Sequence, residues 1–350
     1  MYTRVTASAD ATLYERDTNP DRLAQNTGVD EILELSQEKH TDAYYNAFRN
    51  RVLVKFNNIP TYQGSGEYWL KLYETNEASE IPASFTVEVA RATTDWTMGL
   101  GTWADTPINT DGVSWKYTKG YDTGTEWATS LGGGDYATVN SASFEYTVNT
   151  KDLEVNVTDI VSDWSASGES NYGFLIKRSN IAEQVSGSSI LSYYSTETNT
   201  IYQPRLEYRY DDSSFVTGSL TAVDMTKEVL VYPYSIRANY NKNSIIKIKT
   251  VGREMYPVKT YTTESVSTLT TQYLPSSSYY SIIDTHTDEA IIPFDDDYTK
   301  LSCDSTSNYF MLSMSNFEAN RYYKIAYKIN DVDNGTQQYF DGNFIFEVIN

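Results

Sequence analysis

EYWLKLYE (67–74) reads as a β-strand on pattern alone: Tyr68, Leu70 and Leu72 fall on one side, Trp69, Lys71 and Tyr73 on the other. Working outward, EILELS (31–36) alternates in the same way, and RVLVKF (51–56) is an almost unbroken apolar run, a buried-strand candidate. ASFTVEVAR (83–91), ASFEYTVNT (142–150), NYGFLIKR (171–178), SILSYYS (189–195) and PRLEYRY (204–210) continue the series. At the start, Tyr2, Arg4, Thr6 and Ser8 alternate with Thr3, Val5, Ala7 and Ala9. Gly- and Ser-rich stretches separate the runs: TYQGSGE (61–67), SLGGGDY (130–136) and SASGESN (165–171). Many short strands at this spacing predict an all-β sandwich or jelly roll rather than a parallel α/β sheet. One short helix is expected in TDIVSDWSAS (158–167), with Ile160, Val161 and Trp164 on one face and Thr158 as N-cap.

Composition points the same way. The 350 residues include 31 Tyr and are 14% aromatic, and long runs of helix formers are missing. Mean hydropathy is −0.50. The length suits about two domains. The formal net charge of −20, from 47 acids and 27 bases, disfavours binding to nucleic acid and to anionic membranes. No stretch has the apolar length of a membrane span, so no membrane insertion is expected. Cys303 is the sole cysteine, which excludes an internal disulfide and fits folding in a reducing compartment. In KLSCDS (300–305) it reads as a small core residue.

After PRLEYRY, the polar stretch Asp211–Ser214 reads as a junction. The expected division is therefore 1–212, a jelly-roll-like β-sandwich, and 213–350, a smaller immunoglobulin-like β-sandwich. The second region holds EVLVYPYSIRANY (228–240), SIIKIKTV (244–251), SSYYSIID (277–284), YFMLSMSNF (309–317), RYYKIAYKIN (321–330) and NFIFEVIN (343–350). Asn334-Gly335 is a turn signal between its last two strands.

Several elements of residues 2–210, taken in order, resemble the DNRLRE family, a β-sandwich module related to jelly-roll carbohydrate-binding domains. Asp10-Ala11-Thr12 resembles its opening strand, followed by Asn26-Thr27-Gly28. RVLVKF (51–56) resembles its Arg/Leu/Phe motif, Trp96 and Thr102-Trp103 its tryptophan region, and Gly133-Gly134-Asp135 its glycine-glycine-aspartate element. Val157–Val161 with Trp164 resembles its short helix and Asn171-Tyr172-Gly173 the strand entry after it. Ser195-Thr196-Glu197 and Pro204–Tyr208 resemble its closing strands. Asn57 stands where the family commonly has an acid, so no charge is available there. The resemblance to jelly-roll relatives implies room for a structural Ca²⁺ near this domain; no cofactor is otherwise expected.

Read physically, Arg51 ahead of an apolar strand suits pairing with an acid at the sandwich edge. Trp96, Trp103, Trp115, Trp127 and Trp164 suit core and lid positions. The two histidines, His40 and His286, lie in separate expected domains, and no HExxH, CxxC, P-loop or dinucleotide fingerprint is present. Asp295–Asp297 in PFDDDYTK (293–300) has calcium-like chemistry but reads first as an acidic turn. The expectation is a protein that is not an enzyme.

No signal-peptide pattern opens the sequence. A surface-type module synthesised in a host cytoplasm and released by lysis suits a tailed-phage virion, as a tail, neck or capsid accessory protein. Its partners would then be other virion proteins, in several copies, as a homo-oligomer or associated with a ring. The alternative is an adhesin that recognises a host-surface glycan. Its binding residues would be Trp115, Tyr117, Tyr121 and Trp127 in DGVSWKYTKGYDTGTEW (111–127).

Overall fold

The computed structural model describes residues 1–15, 20–38, 48–61, 66–75, 84–120, 125–129, 132–147, 149–150, 152–180, 182–184, 189–234, 236–257, 270–331 and 335–350. The chain is all-β, with twenty strands and one α-helix among those residues. It divides into two units: Val5–Thr61 with Glu67–Glu207, and Met1–Arg4, Tyr62–Gly66 and Tyr208–Asn350.

The strands of the first stretch are β1 (Tyr2–Thr6), β2 (Ala9–Tyr14), β3 (Ile32–Glu38), β4 (Phe48–Lys55), β5 (Glu67–Leu72), β6 (Ser84–Arg91), β7 (Ala142–Thr147), β8 (Leu153–Asn156), β9 (Phe174–Arg178), β10 (Ser189–Tyr194) and β11 (Arg205–Arg209). One sheet runs β10-β3-β4-β9-β6-β7, with β2 also on β4, and the other runs β1-β11-β5-β8. EYWLKLYE becomes β5, and its Tyr68, Leu70 and Leu72 are buried in strict alternation.

RVLVKF fills most of β4, where the near-continuous apolar run has a physical cause. Register places Ala11 beside Leu53 and Leu53 beside Leu175, so these side chains share one face. That face is covered by Trp96, Val113, Trp115 and Trp127 from the segment between β6 and β7. The opposite face, with Val52, Val54, Phe174 and Ile176, is equally dry. There Phe174 meets Phe56 at 6.0 Å and the helix residue Trp164 at 5.0 Å. An antiparallel sheet usually leaves one face wet and alternates; a strand covered on both faces has no polar position to spare.

The helix α1 (Thr158–Ala166) forms where expected and buries Ile160 and Val161. Thr158 is its first helical residue rather than its N-cap. The Asn156 side chain instead accepts the Thr158 amide at 3.0 Å, while the Thr158 hydroxyl accepts the Tyr68 amide at 2.9 Å. The threonine is thereby used to bind β5.

The other unit holds β12 (Val229–Tyr234), β13 (Asn239–Asn241), β14 (Ile245–Glu254), β15 (Ser278–Asp284), β16 (Ala290–Ile292), β17 (Ser302–Cys303), β18 (Asn308–Ser313), β19 (Arg321–Asp331) and β20 (Thr336–Ile349). The sheet orders are β12-β14-β18-β17 and β13-β20-β19-β15-β16, with β13 parallel to β20. This is the A-B-E-D and G-F-C arrangement of an immunoglobulin-like sandwich. Tyr323, near the start of β19, accepts the Glu318 amide at 3.0 Å, as a tyrosine corner does. Burial pushes its phenol up to about 12. Where antibody domains join strands B and F by a disulfide, the Thr250 hydroxyl of β14 meets the Tyr327 hydroxyl of β19 at 3.2 Å, fully buried. Asn334 lies outside the described residues, but β19 and β20 pair antiparallel up to Asp331 and Thr336.

Met1–Arg4 belongs to this unit, at odds with the strand-by-strand expectation for the N-terminus. Tyr2 joins its core beside Val231, Ile282 and Tyr323. Asn316 fixes the stretch on both sides, donating to the Tyr2 carbonyl and accepting the Arg4 amide, each at 2.8 Å.

Candidate functional site

The described aromatic residues expected to form a binding rim are buried. Trp115, Tyr117 and Trp127 are 3%, 9% and 4% exposed, which leaves no open ring face for a sugar to stack on. Tyr121 lies outside the described residues. All three come from the segment between β6 and β7, from which Trp96, Val113, Trp115 and Trp127 form a second core with Ala11, Leu13, Leu53 and Leu175 of the larger sheet. Trp96 donates its indole N–H to the Tyr172 carbonyl at 2.8 Å, and Trp127 to the Ser114 carbonyl at 3.0 Å. Trp103 sits elsewhere, half-buried, stacked on Tyr14 at 4.2 Å with Arg22 over it at 5.3 Å.

At the centre of the covered face is Arg51. Its guanidinium forks onto Glu183, with Nε to Oε1 at 3.0 Å and Nη2 to Oε2 at 3.1 Å. Nη1 donates to the Gly133 carbonyl at 2.9 Å, and the ring of Trp115 lies 5.3 Å from the guanidinium carbon. The expected ion pair exists, but in the interior of the sheet rather than at its edge. Gly133 has φ +80°, and a Cβ there would meet the Trp115 ring at 2.8 Å. Asp135, next along, accepts from the amides of Ala128 and Thr129 and the hydroxyls of Thr129 and Thr94, all at 2.8–2.9 Å. Burial works to raise its pKa, but those donors win and hold it below the usual carboxylate value.

Asp10 shows the opposite balance. It is 1% exposed and accepts from the Thr196 amide at 2.7 Å and the Thr196 hydroxyl at 3.1 Å. Burial outweighs these bonds and pushes its pKa up to about 7. A carboxyl whose folded pKa lies above its unfolded value binds its proton more tightly in the fold. The resulting stability is present below about pH 4 and is lost as pH rises through about 7. This contribution is therefore expected to fall between pH 5 and pH 8, and Asp10→Asn should reduce the loss of stability over that interval by up to about 3 kcal/mol. Urea melts of both proteins at the two pH values check this; parallel slopes would show that Asp10 stays ionised.

Chemistry for catalysis is sparse among the described residues. Cys303 is buried, and desolvation raises its thiol pKa, so the nucleophilic thiolate is disfavoured. His286 is exposed on the turn after β15, and His40 lies outside the described residues. The Asp295 carboxylate accepts the amides of Asp297 and Tyr298 at 2.8 and 2.9 Å, and Asp296 pairs with Lys328 at 3.3 Å, an acidic turn satisfied by its own protein. Among the described residues no group of three or more His, Cys, Asp or Glu is placed to hold a metal ion, and no helix is long and apolar enough to cross a membrane.

An open groove of about 640 Å³ lies where the chain leaves β12 for β13. Tyr234 and Lys249 line it as cross-strand partners. Arg237, Asn239, Asn241 and Ser244 complete the polar lining. Lys247, also at the groove, is held by Asp304 at 2.7 Å and sits 3.5 Å from the Tyr309 ring centre. Lys249 and Arg237 have no acidic partner among the described residues, in a chain with a twenty-residue excess of acids. Sequence reading passed over this site, although Lys247 and Lys249, two residues apart on one strand of a base-poor chain, were its visible signal.

Comparison with known proteins adds little. No family model matches the chain, and no curated protein does. Among solved structures, a beta-glucuronidase of Parabacteroides merdae is similar over 99% of this chain and 36% of its own, so the chain spans about a third of that enzyme's length. Identity is 9% and the TM-score 0.21, too low to bear on activity.

Proposed function

We propose that this protein is a structural component of a tailed-phage virion, working through protein–protein interfaces and not by catalysis. The larger unit, in this reading, is a DNRLRE-like scaffold, and the immunoglobulin-like unit supplies the contact face. The observation that carries the reading is where apolar surface remains exposed. Of eleven exposed large hydrophobic residues among those described, nine lie in the immunoglobulin-like unit. They include Tyr234, Tyr256, Tyr322 and Tyr339, each more than half exposed. On β19 and β20, Tyr322 and Lys324 share a face with Ile345, and Lys328 pairs across from Tyr339. Exposed tyrosines are enriched at interface centres, because they add large rigid area at small entropic cost, while lysines such as Lys324 and Lys328 suit the polar rim. Against them, the aromatic stretch of the larger unit is spent on its own core.

Electron microscopy of particles purified from the source lysate, with gold-labelled antibody against this chain, tests the proposal. Label at a fixed station on neck, tail or capsid is expected. Label absent from every particle would overturn it. A Tyr322→Ala, Tyr339→Ala double variant should lose incorporation while keeping its melting temperature.

A further inference from the structure

We propose that the groove between β12 and β13 binds a carboxylate-bearing saccharide. This does not depend on the virion reading. Arg237 and Lys249 supply positive charge with no acidic partner among the described residues of an acidic chain, and a planar guanidinium matches a carboxylate fork. Anionic charge is what they lack and what a ligand would bring. The neutral lining selects among anions. The Asn239 carboxamide and the Asn241 Nδ2 can donate to sugar hydroxyls, and the Ser244 oxygen can accept from them while its own proton goes to the Asn241 carbonyl at 2.6 Å. Tyr234, 60% exposed, offers an open ring on which the C–H face of a pyranose packs. Tyr240 is fixed in place, its hydroxyl accepting the Arg237 amide at 2.9 Å and its ring set edge-on to Phe346 at 5.7 Å, so the groove wall is formed before any ligand arrives. An acidic peptide fits less well. Extended peptides bind by adding a strand to a free edge, and Pro233 removes an amide from the edge strand β12.

The test titrates the full chain with a galacturonate hexamer, followed by calorimetry at low and high salt, beside a neutral glucose hexamer and a glutamate hexapeptide. Binding of the galacturonate alone, weakened by salt, is the expected result. Arg237→Ala with Lys249→Gln should weaken it by more than about tenfold, and Tyr234→Ala should also weaken it, with unchanged melting temperatures because all three side chains are exposed. No heat with galacturonate, equal binding of the glucose hexamer, or equal binding of the hexapeptide would each overturn the proposal.

Discussion

Arg51→Ala is expected to destabilise the larger unit by about 3–5 kcal/mol, the cost of leaving a buried charge without its partner. Glu183 is 6% exposed and depends on the Arg51 fork. Arg49 comes within 3.7 Å of Glu183, but both its strong bonds, at 2.7 and 2.8 Å, go to Glu15. The substitution also frees the Gly133 carbonyl and removes the cation beside Trp115. A double variant, Arg51→Met with Glu183→Gln, should recover much of the loss, because neither charge then remains buried. Urea unfolding followed by tryptophan fluorescence measures both. A single-variant loss below about 1 kcal/mol would mean that Arg49 swings across to neutralise Glu183.

Asn26→Ala is expected to cost about 3–4 kcal/mol through unsatisfied backbone groups. Asn26 is wholly buried, and its carboxamide is saturated: Nδ2 donates to the carbonyls of Met98 and Val113 at 2.6 and 2.8 Å, and Oδ1 accepts the amides of Gly101 and Gly28 at 2.7 and 3.2 Å. Gly99 approaches so closely that a Cβ on it would sit 2.4 Å from Oδ1. Asn26 thus pins the covering segment to the chain beside β2. Asn26→Asp keeps the shape but turns both donors into an anion facing two carbonyls. Its deficit against the native protein should shrink from pH 7 to pH 5, as protonation restores one donor. Protease cleavage within 92–137 should rise in both variants. Native-like resistance together with native stability would show that the tryptophans alone hold the cover in place.

Both residues stood out in sequence as parts of a family-like pattern, but their work did not. Local pattern carried the strands because alternation follows from the pleat itself, as in β5, and carried the helix because Ile160 and Val161 need one dry side. It carried the all-β class, the burial of Cys303 and the pairing of Arg51 with some acid. It did not identify Glu183, 132 positions away in sequence. Nor could it tell a sugar-binding rim from a second core, since Trp115 and Trp127 look alike in either setting until the facing sheet is known.

What the sequence determined by itself is therefore what depends on near neighbours: strand period, turn chemistry, the absence of a disulfide, and the acidic balance of the surface. Tertiary structure alone decided that Tyr2 joins a core built from residues beyond 220, that Arg51 meets Glu183 and Gly133, and that Arg237 and Lys249 come together on one groove. These are long-range pairings. Their energies come from burial and charge between segments whose proximity no local periodicity encodes.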